Sequence, residues 1–164
     1  MPHQHDHHRH EPSVAGSVAA ITARAERVCQ ERGERLTPTR ARVLELLAGS
    51  AQPLGAYDLI ELLGTGDGRR PAPITVYRAL DFLLGQGLAH RIESRNAFVA
   101  CDHAHGHGDV AIFLLCESCG AAAEACGEDV GQHLATLARG AGFEPRGQFI
   151  EIAGLCAACR ATGA

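Results

Sequence analysis

Two Cys-x-x-Cys pairs, Cys116 with Cys119 and Cys156 with Cys159, constrain this chain more than any other feature. Each pair closes an apolar, strand-like run, so the sulfurs sit at strand ends. Four thiolates in two such knuckles can complete a tetrahedral zinc site with no open position, the kind that serves structure. It would tie the beginning of a sheet to its end and contribute on the order of ten kcal/mol to folding. A thioredoxin-type redox pair would instead open a helix after a strand, whereas Gly120 and another strand follow the first pair. Seven cysteines, an odd number, suit metal thiolates better than a disulfide framework, and ten histidines point the same way.

At 164 residues the chain makes one ordinary domain or two small ones. The longest apolar run, Val110 to Cys116, is too short to cross a membrane, and the N-terminus is His-rich rather than apolar. A cytoplasmic chain is expected, with no membrane partner. Aromatic content of 4% without Trp argues against stacking platforms for bases or sugars. Charge is unevenly divided: residues 14–95 carry 11 Arg against 9 acids, and residues 96–164 carry 3 against 8. Two units with different partners follow from that division. Every basic residue except histidine is Arg, which makes forked contacts to phosphate or guanine, although a compositional bias of the source genome explains the missing Lys more simply.

Residues 1–13, with five His and no large apolar residue, read as a disordered tail that either holds metal weakly or is idle. A helical stripe of Val18, Ile21, Ala25 and Val28 follows, ending at Gly33. Thr37 and Pro38 start a second helix that buries Val43, Leu44 and Leu47. A third, Ala56 to Leu63, leads into a turn-rich connector, and Pro73 begins a fourth that buries Val76, Leu80 and Leu83. Thr75, Tyr77, Arg78 and Asp81 lie off that stripe, available to a partner. Leu88 to Glu93 and Ala97 to Cys101 form a hairpin about Ser94-Arg95-Asn96. Short helices followed by a hairpin are the order of a winged helix, whose last helix enters the major groove.

Beyond a polar linker the pattern is strand Val110 to Leu115, strand Ala121 to Cys126, helix Glu128 to Arg139 and strand Gln148 to Ala153. This small mixed sheet has an open edge and a thin core, features of a unit that dimerises. Other metal-ligating side chains are scattered: His90, Cys101, His103, His105 and His107, and Glu124. Together they would form a mixed N, S and O site drawing on both units, and its thiol favours zinc over Fe(II) or Mn(II). Cys29, Cys126 and His133 read as packed or surface side chains.

The stretch ITVYRALDFLLGQGLAHRIES, with CESCG and the late GLCAAC, resembles the ferric uptake regulator family, its zinc uptake branch in particular, from about Ala19 to Cys159. The resemblance implies an α+β chain: a winged helix-turn-helix DNA-binding domain over residues 14–101, a linker over 102–109, and a small α/β dimerisation domain over 110–160 with a four-cysteine zinc site. It implies a homodimeric repressor, not an enzyme and without a small-molecule substrate, that binds AT-rich inverted repeats when zinc is in excess and represses zinc-uptake genes. Two zinc ions per chain are implied, a structural one on Cys116, Cys119, Cys156 and Cys159 and a regulatory one on His90, Cys101 and Glu124. Where the branch has its remaining regulatory ligand, a His, this chain has Asp109. His107, on the same face of an extended segment, is the first choice to replace it, ahead of Asp109, His105 and His103. Tyr57 and Arg78 match DNA-contacting positions, with Thr75 and Tyr77 on the same element. Sensing of iron or nickel is the alternative within the family, and zinc storage or delivery the alternative outside it.

Overall fold

The computed structural model describes residues 17–67, 70–102, 110–145 and 148–163. The His-rich tail, His103, His105, His107 and Asp109 lie outside the described residues. Helix α1, Val18–Glu31, is capped by the Ser17 hydroxyl, which accepts the Ala20 N–H at 3.2 Å. It buries Ile21, Ala25 and Cys29. The expected stripe is thus turned slightly: Val18 is exposed, Val28 is only partly buried, and Cys29 takes a core place as a small apolar side chain. Helix α2, Pro38–Ala48, starts as expected at the Thr37 cap and buries Val43, Leu44, Leu47 and Ala48.

Helix α3, Ala56–Asp67, runs on through residues expected to form a connector. The Thr65 hydroxyl donates to the Leu62 carbonyl at 2.7 Å within this last turn. A side chain at Gly64 would meet Arg70 Cγ at 2.6 Å, so the glycine admits the returning chain. Helix α4, Pro73–Gly85, buries Val76, Ala79, Leu80 and Leu83. Strands β1, Ala89–Ile92, and β2, Ala97–Ala100, pair antiparallel across a 3-10 turn, Glu93–Arg95, closed by Asn96 in the left-handed region at φ 48°. Leu54 exchanges two backbone hydrogen bonds with Phe98, of 2.8 and 2.9 Å, and so joins the α2–α3 loop to the hairpin.

The second sheet has the order β4-β3-β5, from Ala111–Cys116 (β3), Ala122–Cys126 (β4) and Phe149–Gly154 (β5). The β3 strand pairs antiparallel with β4 and parallel with β5, the latter reached through α5, Glu128–Gly140. A short helix not expected from the sequence pattern, α6, Ala157–Thr162, follows with Cys156 at its N-cap. The second cysteine pair therefore does open a helix after a strand, and local context alone does not separate it from a redox pair.

Among the described residues, two apolar clusters hold the fold together. One lies among α1 to α4 and the hairpin. The other joins Ile92, with Val99 beside it, to Ala111, Phe113 and Leu115 of β3, so the sheet packs one face on the hairpin. Elsewhere the sheet region leaves Leu137, Phe143, Phe149 and Ile152 more than half exposed. No helix among the described residues is long and apolar enough to cross a membrane. Leu44 is fully buried in the helical cluster, and Leu137 is 73% exposed. Leu44→Ala should therefore cost about 3 kcal/mol in urea unfolding and Leu137→Ala well under about 1 within a single chain. Equal effects would contradict this assignment of the core.

Candidate metal centres and DNA-facing surface

The β3–β4 turn carries Cys116 and Cys119, and the start of α6 carries Cys156 and Cys159. Parallel pairing of β3 with β5, which sets Cys116 opposite Gly154, brings both pairs to the same end of the sheet. All four sulfurs lie within 4.8 Å of one another, and Cys119 Sγ is 3.9 Å from Cys156 Sγ. A tetrahedron with Zn–S bonds of about 2.3 Å has edges of about 3.8 Å, so this spacing fits a bound zinc. The Cys156 N–H donates to Cys116 Sγ at 3.4 Å and the Cys159 N–H to Cys156 Sγ at 3.5 Å. The Cys156 and Cys119 backbone amides pull the Cys116 thiol down to about 6. Cys159, although the Ser118 hydroxyl acts in the opposite direction, is pushed up to about 11 by the neighbouring Cys156 and Cys119 sulfurs. The cluster thus ionises easily once but resists full ionisation unless a cation offsets the accumulating charge.

A second group brings His90 of β1, Cys101 just after β2, and Glu124 of β4 within 4.8 Å of one another. His90 Nε2 is 3.4 Å from Glu124 Oε1. Zn–N and Zn–O bonds of about 2.1 Å at the tetrahedral angle give an edge of about 3.4 Å, so this trio fits zinc as well. Glu124 Oε2 accepts the Asp102 N–H at 3.2 Å, and this bond orients the carboxylate. The His90 ring stacks obliquely against Phe113, with centroids 5.3 Å apart. Burial opposes charge on His90, but the Cys101 thiol and then the Glu124 carboxylate outweigh it and raise its pKa to about 9. The two groups separate the expected ligands along the division expected from the sequence. His107, Asp109, His105 and His103, the choices for a fourth ligand, lie outside the described residues.

On the side expected to face DNA, Thr75, Tyr77 and Arg78 line the exposed face of α4, and Tyr57 on α3 is 74% exposed. Other side chains that brace the centres carry no motif in the sequence. The Arg24 guanidinium of α1 donates to the Cys101 carbonyl at 2.6 Å. The Arg95 guanidinium donates to the Gly120 and Cys116 carbonyls at 2.6 and 2.9 Å, and Gln52 Nε2 to the Cys119 carbonyl at 2.6 Å. Glu151 of β5 accepts the Glu93 and Ser94 N–H groups at 2.7 and 3.3 Å. The Ser94 hydroxyl and then these amides hold its carboxyl below the usual range. No spacing signal marks these residues, because their partners are carbonyls and amides brought close only by the tertiary fold.

Protonated His90 favours the metal-free folded chain below about pH 6.5, its ordinary value, and that contribution fades as pH rises toward about 9. Metal binding must displace the same proton, so zinc affinity at this site should climb over that interval by up to about tenfold per pH unit for each proton released. Competition with a chromophoric chelator between about pH 6 and 8.5 measures it, and an affinity independent of pH would exclude His90 as a ligand.

The ferric uptake regulator family model matches residues 31–153. The zinc uptake regulation protein of Escherichia coli strain K12 is 43% identical over 139 residues, 85% of this chain and 81% of that protein. A zinc uptake regulator solved with zinc and DNA superposes with a TM-score of 0.82 at 40% identity, covering 90% of this chain and 98% of that one. XcZur is similar in its holo crystal structure, at 44% identity and a TM-score of 0.78 over 88% of this chain and 99% of that one. Its apo crystal structure, at 43% identity over 88% and 98%, gives 0.51. The chain belongs to the ferric uptake regulator family.

Proposed function

We propose that the chain is a zinc-responsive transcriptional repressor that binds operator DNA as a homodimer and represses zinc-uptake genes. The observation that carries this reading is the trio His90, Cys101 and Glu124, which takes two ligands from the hairpin and one from the sheet and is spaced for zinc. Cys116, Cys119, Cys156 and Cys159 would hold a structural zinc, and the trio a regulatory one completed by a residue of the linker, for a total of two per chain. Bound at the trio, the metal would supply the positive charge that lets a thiolate, a carboxylate and a neutral imidazole stay together.

The protein's own residues do the rest. With unit boundaries near residues 101 and 110, the trio would lie at the junction between a DNA-binding part and a dimerising part. With the hairpin seated on β3 through Ile92 and Phe113, each chain would present α4 in a fixed orientation. Thr75, Tyr77 and Arg78, together with Tyr57, would then meet the grooves and backbone of an AT-rich inverted repeat. Leu114 and Ile152, paired on the sheet face turned away from the hairpin and both exposed, supply the apolar face that a second copy of the chain would cover. Likeness to zinc uptake regulators, one of them solved with zinc and DNA, supports zinc over iron or nickel.

Cys101→Ser should keep the structural zinc and the dimer but lose zinc-dependent operator binding, measured by fluorescence anisotropy alongside zinc content per chain. Cys116→Ser should lose the structural zinc and unfold or dissociate. Unchanged operator affinity in Cys101→Ser would refute the regulatory assignment. Arg78→Ala should weaken operator binding by about 1 to 3 kcal/mol with relaxed specificity if it reads a guanine, and weaken all sequences alike if it holds a phosphate. Wild-type binding to both operator and scrambled DNA would remove Arg78 from the interface.

A further inference from the structure

The turn of the first cysteine pair is gripped from outside the sheet. Three carbonyls of that turn, those of Cys116, Cys119 and Gly120, accept hydrogen bonds from side chains of the helical half. Arg95, in the 3-10 turn of the hairpin, spans two of them with the two arms of its guanidinium, at 2.9 Å to Cys116 and 2.6 Å to Gly120. Gln52, in the α2–α3 loop, reaches the Cys119 carbonyl at 2.6 Å, and the Ala122 N–H donates to the Ala51 carbonyl at 3.1 Å. Gly120 has a φ of +77°, and a side chain there would come within 3.3 Å of Gln52, so the glycine serves both the turn and the close approach. On the other side of the same hairpin turn, Glu151 of β5 accepts the Glu93 and Ser94 amides.

These contacts have a chemical logic. A forked cation can bridge two carbonyls only when they are held at a fixed separation and direction. The carbonyls of Cys116 and Gly120 belong to the turn whose two sulfurs join those of Cys156 and Cys159. Backbone bonds set the spacing of those carbonyls, Cys116 N–H to the Ala121 carbonyl at 2.8 Å and Gly120 N–H to the Cys116 carbonyl at 3.1 Å, and the sulfurs join the turn to the far end of the sheet. Both wing and loop flank the helices that carry the expected DNA-facing side chains, so the grip bears on their orientation.

We propose that Arg95 and Gln52 are positioning residues that latch the DNA-binding half onto the Cys116–Gly120 turn, making the structural zinc knuckle the docking point for that half. This inference rests on the reading of the chain as a zinc-responsive DNA-binding protein. By linkage, a latch that favours the closed arrangement also favours zinc at the trio, whose ligands come from both halves. Arg95 then works by holding the knuckle carbonyls, whereas an arginine in a wing would ordinarily be assigned to a DNA phosphate.

The test uses the full-length dimer and Arg95→Ala, Arg95→Lys and Gln52→Ala. Zinc per chain, zinc affinity of the regulatory site without DNA, and operator affinity across a salt series are measured for each. The latch predicts retained structural zinc and a regulatory zinc affinity weakened about tenfold in Arg95→Ala. It also predicts partial recovery in Arg95→Lys, a smaller loss in Gln52→Ala, and an unchanged salt slope. An unchanged zinc affinity with the salt slope reduced by about 1 would overturn it and make Arg95 a phosphate contact. If Arg95→Ala sheds its structural zinc, Gln52→Ala decides, and wild-type zinc affinity in that variant overturns the latch. Absence of zinc-dependent operator binding in the wild-type protein would defeat the functional reading instead, while the DNA-free zinc affinities still decide on the latch.

Discussion

Four thiols within 4.8 Å of one another cannot all ionise cheaply, because each thiolate raises the cost of the next. Amide donors stabilise the first thiolate and mutual repulsion resists the last, which is the electrostatic condition for a tightly held divalent cation. On the proposed reading, a cation held there would brace the rest of the sheet. Its three strands are short, no further strand flanks β4 or β5 among the described residues, and β5 is reached only after the α5 crossover. Joining the end of β3 to the start of α6 closes that excursion at the point where the strands leave the sheet.

The β3 strand serves two purposes through its alternation. Ala111, Phe113 and Leu115 face the hairpin and form the seam with Ile92, and Phe113 also backs the His90 ring. Its pairing with β4 sets Glu124 opposite Phe113, within reach of His90 and Cys101. Apolar packing and the geometry of the His90–Cys101–Glu124 trio are therefore set by one register. A slip of one residue would turn Phe113 away from the seam and disturb both together.

Much of this is legible in the sequence because the signals are local. Pro38 after Thr37, the i, i+4, i+7 spacing of Val76, Leu80 and Leu83, and the Ser94-Arg95-Asn96 turn each point to an element without reference to distant residues. The cysteine pairs are legible because metal chemistry restricts ligand type and spacing. The α3 extension is not, because glycines at Gly64 and Gly66 ordinarily signal a turn, whereas here Gly64 is shaped by Arg70. Helix α6 is hidden because its short run begins within the cysteine motif itself. The grips of Arg24, Arg95, Gln52 and Glu151 are invisible to any one-dimensional pattern: their partners are backbone groups distant in sequence.

The seam of Ile92, Val99 and Phe113 offers no metal-ligating side chain of its own, only a packed edge beside the His90 ring, yet it would bear on any metal response built on that ring. Apparent affinity for an ion that binds one arrangement is the intrinsic affinity scaled by the fraction of molecules already in that arrangement. Every methyl group packed across the seam raises that fraction before any ion arrives. If His90, Cys101 and Glu124 hold the metal, the threshold concentration at which the protein switches is written partly in hydrocarbon: trimming the seam would move the set-point upward, and filling it would move it down, with those three side chains left in place.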